Sequence, residues 1–374
     1  MKAKSNLRTA FILLLFFGAI FLLCSVFIES VLSVGLNNDD GKTTTDSKKI
    51  EKIENKNQNK SDNNSNNNNE IKSTTKSDRA WLFVYYTNKG HDGLFYAWSK
   101  DGLLWQQLRN GKPFLKPEVG GDVKDRLTHS PSICRSSDGV YHVVWTVGWE
   151  SRSIGYASSR DMINWSKQRL IPVMENEKRT RNVWNPVLFY NEDDKQYYII
   201  WASTVNGEFK ETAGLSEDNF NHRLYYTTTT DFTKFAPTKL YWNPNHNVMS
   251  PLLVEDKDAD KSQRYLLFYK DDTLKPKPKK HLLLATGESP VGPFVVQKMV
   301  SHTDWVQGPS ILRIDKNWYL YYDCYGKRHF GAVQSNDLIN WTNITEKLCF
   351  PTNARQGTII EIDKETLKNL QNLK

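Results

Sequence analysis

Cysteine is scarce, with 4 in 374 residues. A dense disulfide framework is therefore excluded, and a fold of this size must be held by a buried core. Cys24 lies in an apolar run, which leaves an odd number elsewhere: Cys134, Cys324 and Cys349. Cys134 and Cys324 fall in strand-like stretches, where a buried free thiol is the ordinary outcome, and one disulfide stays open as an alternative. No residue spacing makes a metal site, and nothing in the chain calls for a cofactor.

Acidic residues are missing ahead of the first apolar run, where Lys2, Lys4 and Arg8 stand instead. The run itself covers Ala10 to Ile28 and ends at Glu29. That is close to the ~20 residues needed to cross a bilayer and longer than a secretory signal core. With positive charge held inside, residues 1–9 read as a cytosolic tail and 10–28 as a type II signal anchor, leaving everything after Glu29 lumenal or outside. A cleaved signal peptide is the competing reading, although no small-residue cleavage site is well marked after Glu29.

Large apolar residues are nearly absent from Asn37 to Asp78, which is rich in Asn, Lys, Ser, Thr and Asp. Such a stretch buries too little surface to offset chain entropy, so residues 29–78 read as a disordered stem that gives a folded head, 79–374, its reach. The net charge of +8 would suit nucleic acid, but a lumenal head rarely meets any, and no nucleic-acid partner is expected. The densest basic cluster, Lys275-Pro-Lys-Pro-Lys-Lys280, reads as a solvated loop. Asn-x-Ser/Thr acceptors at Asn164, Asn340 and Asn343 in the head, with Asn59 and Asn63 in the stem, agree with that topology.

Aromatics are abundant, with 12 Trp and 17 Tyr. Their arrangement is repetitive. Five segments read alike: Tyr96–Trp105, Tyr156–Trp165, Tyr226–Phe235, Leu284–Phe294 and Ala332–Trp341. Each is a short β-rich run, a polar turn and an aromatic. Asp101, Asp161, Asp231 and Asp337 sit in four of the turns, where a short acceptor bonds nearby N–H groups, so these carboxylates are structural. Ahead of each lies a strand of aromatic and β-branched residues: Trp81–Tyr86, Tyr141–Trp145, Tyr197–Trp201, Tyr265–Tyr269 and Trp318–Tyr322. Four of those follow a short Pro-led strand, at Ser130-Pro, Asn185-Pro, Ser250-Pro and Gly308-Pro. The first unit lacks one, and the missing strand appears at the far end as Gln356–Glu361. This offset is how a propeller closes its ring and removes the open edge. The expected fold is all-β, a five-bladed propeller closed by the C-terminal strand, with a helical tail from Lys364 to Leu370 packed outside.

The innermost strands of a propeller converge on a common funnel, which selects the residues beside each Pro: Ser130, Asn185, Ser250 and Gln307, with Arg355 and Gln356 at the closing strand. Here the sequence resembles glycoside hydrolase family 43, and most closely a bacterial branch of it, over residues 80–362. The stretches that carry the resemblance are Trp145-Thr-Val-Gly-Trp149, Gly155–Ser159, Arg181-Asn-Val-Trp184, Asn221-His-Arg223, Trp305–Ser310, Tyr322-Asp-Cys-Tyr325 and Arg355–Thr358. The resemblance implies a glycosidase with an Asp base before the first Pro, a second Asp that tunes the acid, and a Glu acid in a Glu-Gly-Pro-like motif. In this chain those positions read Ser130, Ser250 and Gln307, and where relatives place a His beside the closing Arg it has Gln356. Ser is too weak a base to activate water unaided, and Gln has no proton to give. The implied function is thus a membrane-anchored, carbohydrate-binding pseudoenzyme, with Trp149, Trp184, Asn185, His222, Asp323, Arg355 and Gln356 as ligand-binding candidates and a glycan as partner. Two other readings stay open: an active glycosidase or transglycosylase using other residues, and a protein-interaction scaffold of the secretory pathway.

Overall fold

The computed structural model describes residues 79–373. The expected tail, anchor and stem lie outside them. Among the described residues, no helix is long and apolar enough to cross a membrane.

Each sequence repeat folds as one antiparallel four-stranded sheet, and there are five such sheets among the described residues. Blade 1 takes β1 (Arg79–Thr87), β2 (Leu94–Ser99) and β3 (Gln106–Gln107) from the start of the head. Blade 2 is β4 (His129–Arg135), β5 (Tyr141–Thr146), β6 (Ile154–Ser159) and β7 (Arg169–Ile171). Blade 3 is β8 (Trp184–Asn191), β9 (Gln196–Ser203), β10 (Arg223–Thr229) and β11 (Lys239–Trp242). Blade 4 is β12 (Val248–Glu255), β13 (Tyr265–Asp271), β14 (His281–Gly287) and β15 (Phe294–Met299). Blade 5 is β16 (Gln307–Ile314), β17 (Asn317–Cys324), β18 (His329–Ser335) and β19 (Thr342–Asn343). The innermost strand of blade 1 is β20 (Ala354–Asp363), which pairs antiparallel with β1 in the register Trp81↔Glu361, Phe83↔Ile359 and Tyr85↔Gly357. The ring is therefore closed by the C-terminal strand, as the repeat offset requires.

The core is five seams, one between each pair of neighbouring blades. Strand periodicity explains it. On β5, Tyr141, Val143 and Trp145 face the seam with blade 1, while Val144 faces the seam with blade 3. On β9, Tyr197, Ile199 and Trp201 face blade 2, while Ile200 and Ala202 face blade 4. Second strands buried on both faces read as unbroken apolar runs, and this is why they stand out in the sequence. Helix α1 (Lys364–Gln371) is capped by Asp363 and buries Leu367 and Leu370 in the first seam. Cys134 and Cys324 are free thiols.

The repeated turn has one construction in four blades. The Asp101 carboxylate accepts from the N–H groups of Leu103 and Leu104 at 2.8 and 3.0 Å, and the Ser99 hydroxyl donates to it at 2.9 Å. Asp161, Asp231 and Asp337 repeat this with Ser159, Thr229 and Ser335. The bonded carboxylate holds the next residue left-handed, at φ 74° for Gly102 and 63°, 57° and 59° for Met162, Phe232 and Leu338. That conformation is costly without support. Desolvation pushes the Asp161 carboxyl up, but hydrogen bonds from Asn164, Ile163 and Ser159 outweigh it and hold Asp161 at about 2. Replacing Asp161 with Ala removes the support for Met162, and the head is expected to lose about 1 kcal/mol in chemical denaturation. No loss would make the turn dispensable.

Candidate functional site

The inner strands β4, β8, β12, β16 and β20 touch in a ring. Crosslinks between blades fix their stagger: Leu188 N–H donates to Ser132 Oγ at 3.0 Å, Ile359 N–H to Ser310 Oγ at 2.9 Å, and Thr358 Oγ1 to the Pro131 carbonyl at 3.1 Å. Each of the four Pro-led strands is bulged at its X-Pro step. The residue before Pro is left-handed in all four, with φ 49° at Ser130, 52° at Asn185, 50° at Ser250 and 57° at Gly308. Proline supplies no N–H, so the ladder breaks there and the preceding side chain turns into the channel. Non-glycine residues held at such angles mark sites where the surroundings over-determine the backbone. At Gly308 a Cβ would lie 2.2 Å from that of Gln356, so only glycine fits.

Below this mouth the channel is nearly shut. A cavity of about 30 Å³ remains among Ser130, Asn185, Ser250, Gln356 and the prolines, room for roughly one water. At the mouth, five neutral side chains close a ring of hydrogen bonds. Tyr86 OH meets His129 Nε2 at 2.7 Å, and His129 Nδ1 meets Ser130 Oγ at 2.6 Å. Asn185 Nδ2 donates to Ser130 Oγ at 2.8 Å and to Gln356 Oε1 at 3.4 Å, and Gln356 Nε2 returns to Tyr86 OH at 3.4 Å. Burial, and then the charge of Arg355, hold the His129 imidazole down at about 3, so it is neutral.

The charged groups stand at the ends of the second strands. Gln307 pairs in register with Asp323, and Met249 with Lys270. Asp323 is buried and accepts from Arg355 Nε at 2.8 Å. Burial pushes its carboxyl up, against the pull of the guanidinium. Lys270 and Lys280 both reach Asp272 Oδ1 at 2.8 Å, and all three residues are buried. The cluster Lys275–Lys280 does form the β13–β14 loop, but Lys280 is wholly buried rather than solvated, because it is drawn in to Asp272 and Glu217. Asp125 is in an exposed turn, and Asp304 is half exposed and pairs with His281.

Beside the mouth is an aromatic wall. Trp149 is 43% exposed, so it is not core. Its ring meets His129 edge-on at 5.0 Å and Trp184 at 5.8 Å, and its carbonyl accepts from Trp184 Nε1 at 2.9 Å. Trp184 lies against Phe220 and His222, which stack on each other at 4.9 Å, and Arg181 covers Phe220 at 4.1 Å. Trp149, Glu150, Arg152, Arg181, Trp184 and Phe220 line a pocket of about 340 Å³. A flat exposed indole beside buried donors is suited to stacking a pyranose and bonding its hydroxyls.

A family model related to glycoside hydrolase family 43, described as "Probable glycosyl hydrolase domain", matches residues 77–368. The chain belongs to that family. A β-xylosidase of Bacillus subtilis (strain 168) is 24% identical over 134 residues, which covers 30% of this chain and 25% of that protein. The chain thus matches a quarter of this curated relative's length. Among solved structures, an α-L-arabinofuranosidase from Lactobacillus brevis aligns with TM-score 0.43 and 15% identity over 57% of this chain and 71% of its own. An arabinanase of Bacillus subtilis aligns with TM-score 0.41 and 15% identity over 57% and 73%.

In this family-43-related propeller the site candidates Ser130, Asn185, Ser250, Gln307, Asp323, Arg355 and Gln356 gather at one mouth, with Trp149, Trp184 and His222 on its wall. Sequence reasoning passed over Tyr86, Lys270, Asp272 and Phe220. A readable signal existed for Lys270: it ends an apolar second strand where Asp323 ends the equivalent one.

Burial also holds His222 down, at about 4, although Asp272 opposes the shift. The unfolded chain titrates its histidines near 6.5. Below that pH it takes up protons that folded His129 and His222 refuse, so these groups subtract stability as pH falls. Stability is expected to be level above about pH 6.5 and to decline toward pH 5, before ordinary carboxylates titrate. Denaturation across that range reads it, and His222→Gln should make the decline shallower, with His129 and also His142, which burial holds down at about 4, carrying the rest. An unchanged midpoint would contradict the assignment.

Proposed function

We propose that the head is a carbohydrate-binding pseudoenzyme, carried on a type II anchor and facing the lumen of the secretory pathway or the cell surface. One observation carries it: the mouth is lined by a closed, neutral hydrogen-bond ring through Ser130, while the buried carboxylates of Asp323 and Asp272 are bound to Arg355 and to the two lysines. Glycoside hydrolysis needs two carboxyl groups on opposite sides of the scissile bond, one able to give a proton and one to take it. Ser130, Ser250 and Gln307 provide neither, and His129 is too weak a base. What is left favours binding: the Trp149 face, amide and hydroxyl groups in fixed orientation, and membership of a family of glycosyl hydrolases.

An active hydrolase with different carboxylates is the second reading. It draws on the upward push that burial gives Asp323, the direction a proton donor needs. The two readings separate on a panel of nitrophenyl furanosides and pyranosides. The wild-type protein is expected to hydrolyse none above background, since each general acid or base supplies roughly 10²–10⁴-fold. Ser130→Asp, Ser250→Asp and Gln307→Glu together should recover a trace, and each alone very little, because acid and base act as a unit. Robust wild-type turnover that survives Gln307→Ala would overturn the pseudoenzyme reading.

The lumenal orientation makes its own prediction. Asn164 and Asn340 spend their amide Nδ2 on Asp161 and Asp337 at 2.8 Å, whereas Asn343 is exposed and uses its Oδ1 to accept from Thr345 N–H. Glycosylation is expected first at Asn343, with Asn164 and Asn340 less occupied. Site-by-site mass spectrometry of the expressed chain measures it, and digestion of the head by protease added to intact microsomes would reverse the proposed topology.

A further inference from the structure

A second exposed indole stands at the mouth, away from the aromatic wall. Trp305 is 40% exposed, close to the 43% of Trp149. It lies two residues before Gln307, where β16 begins, so it belongs to the same rim as the X-Pro steps. Its backbone is left-handed, at φ 63°. A bulky residue rarely takes that conformation and keeps it only where its surroundings impose it. Those surroundings brace the segment on both sides. Asp304 meets His281 Nδ1 at 3.3 Å, and the wholly buried Val306 donates its N–H to the Lys280 carbonyl at 3.0 Å. The Trp305 ring meets Tyr325 edge-on at 6.1 Å. Tyr325 OH accepts from Lys270 Nζ at 3.4 Å, and Lys270 Nζ lies 3.9 Å from the sulfur of Met249, the neighbour of Ser250. This chain of contacts ties the exposed ring to the channel.

The ring of inner strands sets where the two indoles stand. Strand β20 touches β4 on one side and β16 on the other. Trp149 meets His129 at the start of β4, and Trp305 stands just ahead of β16. Between those strand starts lie Arg355 and Gln356, near the start of β20. Blades packed at about the 10 Å spacing of stacked sheets put blades 2 and 5 on the order of 20 Å apart across blade 1. One sugar ring cannot cover both indoles at that separation, whereas a short linear oligomer can. Gln307 and Arg355 are only partly buried, which leaves an amide and a guanidinium beside its path.

We propose that the mouth binds a linear oligosaccharide laid across blade 1, with one sugar stacked on Trp149 and a later one on Trp305. The inference rests on the binding reading above and names the ligand class for it. Two braced, exposed indoles on opposite sides of one opening make two stacking platforms. A lone terminal sugar would use one and leave the other bare.

The test titrates the full-length protein in detergent with xylo-, arabino- and β-galacto-oligosaccharides, each series running from the monosaccharide to the hexasaccharide. In at least one series affinity should rise in a step of roughly tenfold at the length that reaches the second indole, the worth of one more aromatic contact. Trp305→Ala should erase that step, and Trp149→Ala should weaken every length. Fluorotryptophan-labelled protein gives a second reading that does not depend on how the alanine variants fold. In its ¹⁹F spectrum, assigned through Trp149→Phe and Trp305→Phe, the monosaccharide should shift one of the two indole signals and the longer members both. Affinity independent of length, a step that survives Trp305→Ala, or a Trp305 signal unmoved by every bound member would overturn the two-platform arrangement and leave carbohydrate binding standing. Binding of no member of any series would defeat the binding reading and this inference with it.

Discussion

The pairing of β20 with β1 is the constraint on which the rest of the molecule depends. Without it, blade 1 has no inner strand, the ring has two open edges, and the mouth loses Arg355 and Gln356. The closing strand brings the last part of the head against the first, so Trp81 meets Glu361 and Tyr85 meets Gly357. It also contributes three of the contacts that hold the mouth together: Gln356 to Tyr86, Asn185 to Gln356, and Arg355 to Asp323. Closure and site are thus one structural event. The α1 helix, which seals Leu367 and Leu370 into the first seam, follows directly from the closing strand and protects it.

The mouth itself follows from how proline interrupts a strand. Each X-Pro step removes one ladder hydrogen bond at the same level of the ring, and the bulge aims the preceding residue into the channel. Left-handed backbone at Ser130 and Asn185 is tolerated because neighbouring blades hold those strands through Ser132 and Thr358. The device aims two hydroxyls and an amide at the mouth, those of Ser130, Ser250 and Asn185.

Burial gives the polar residues of the mouth their character. His129 and His222 are neutral because the fold excludes water from them, and the neutral His129 imidazole joins the ring of hydrogen bonds at physiological pH. Lys270 and Lys280 are tolerated in the interior because Asp272 meets both and Glu217 lies within reach of Lys280.

The five-unit repeat, the displaced closing strand, the structural role of the turn aspartates and the residues beside each proline were legible in the sequence. Local rules wrote them: period-two burial on both faces of second strands, side-chain acceptors in tight turns, and proline at breaks in a ladder. These depend on near neighbours in the chain. The tertiary structure alone decided that Tyr86 and His129 join Ser130, Asn185 and Gln356 in one ring, that Lys280 leaves its basic loop for the interior, and that Trp149 stays exposed while Trp184 supports it. Each of those outcomes joins residues from different blades, and no local pattern reports a contact made only when the ring closes.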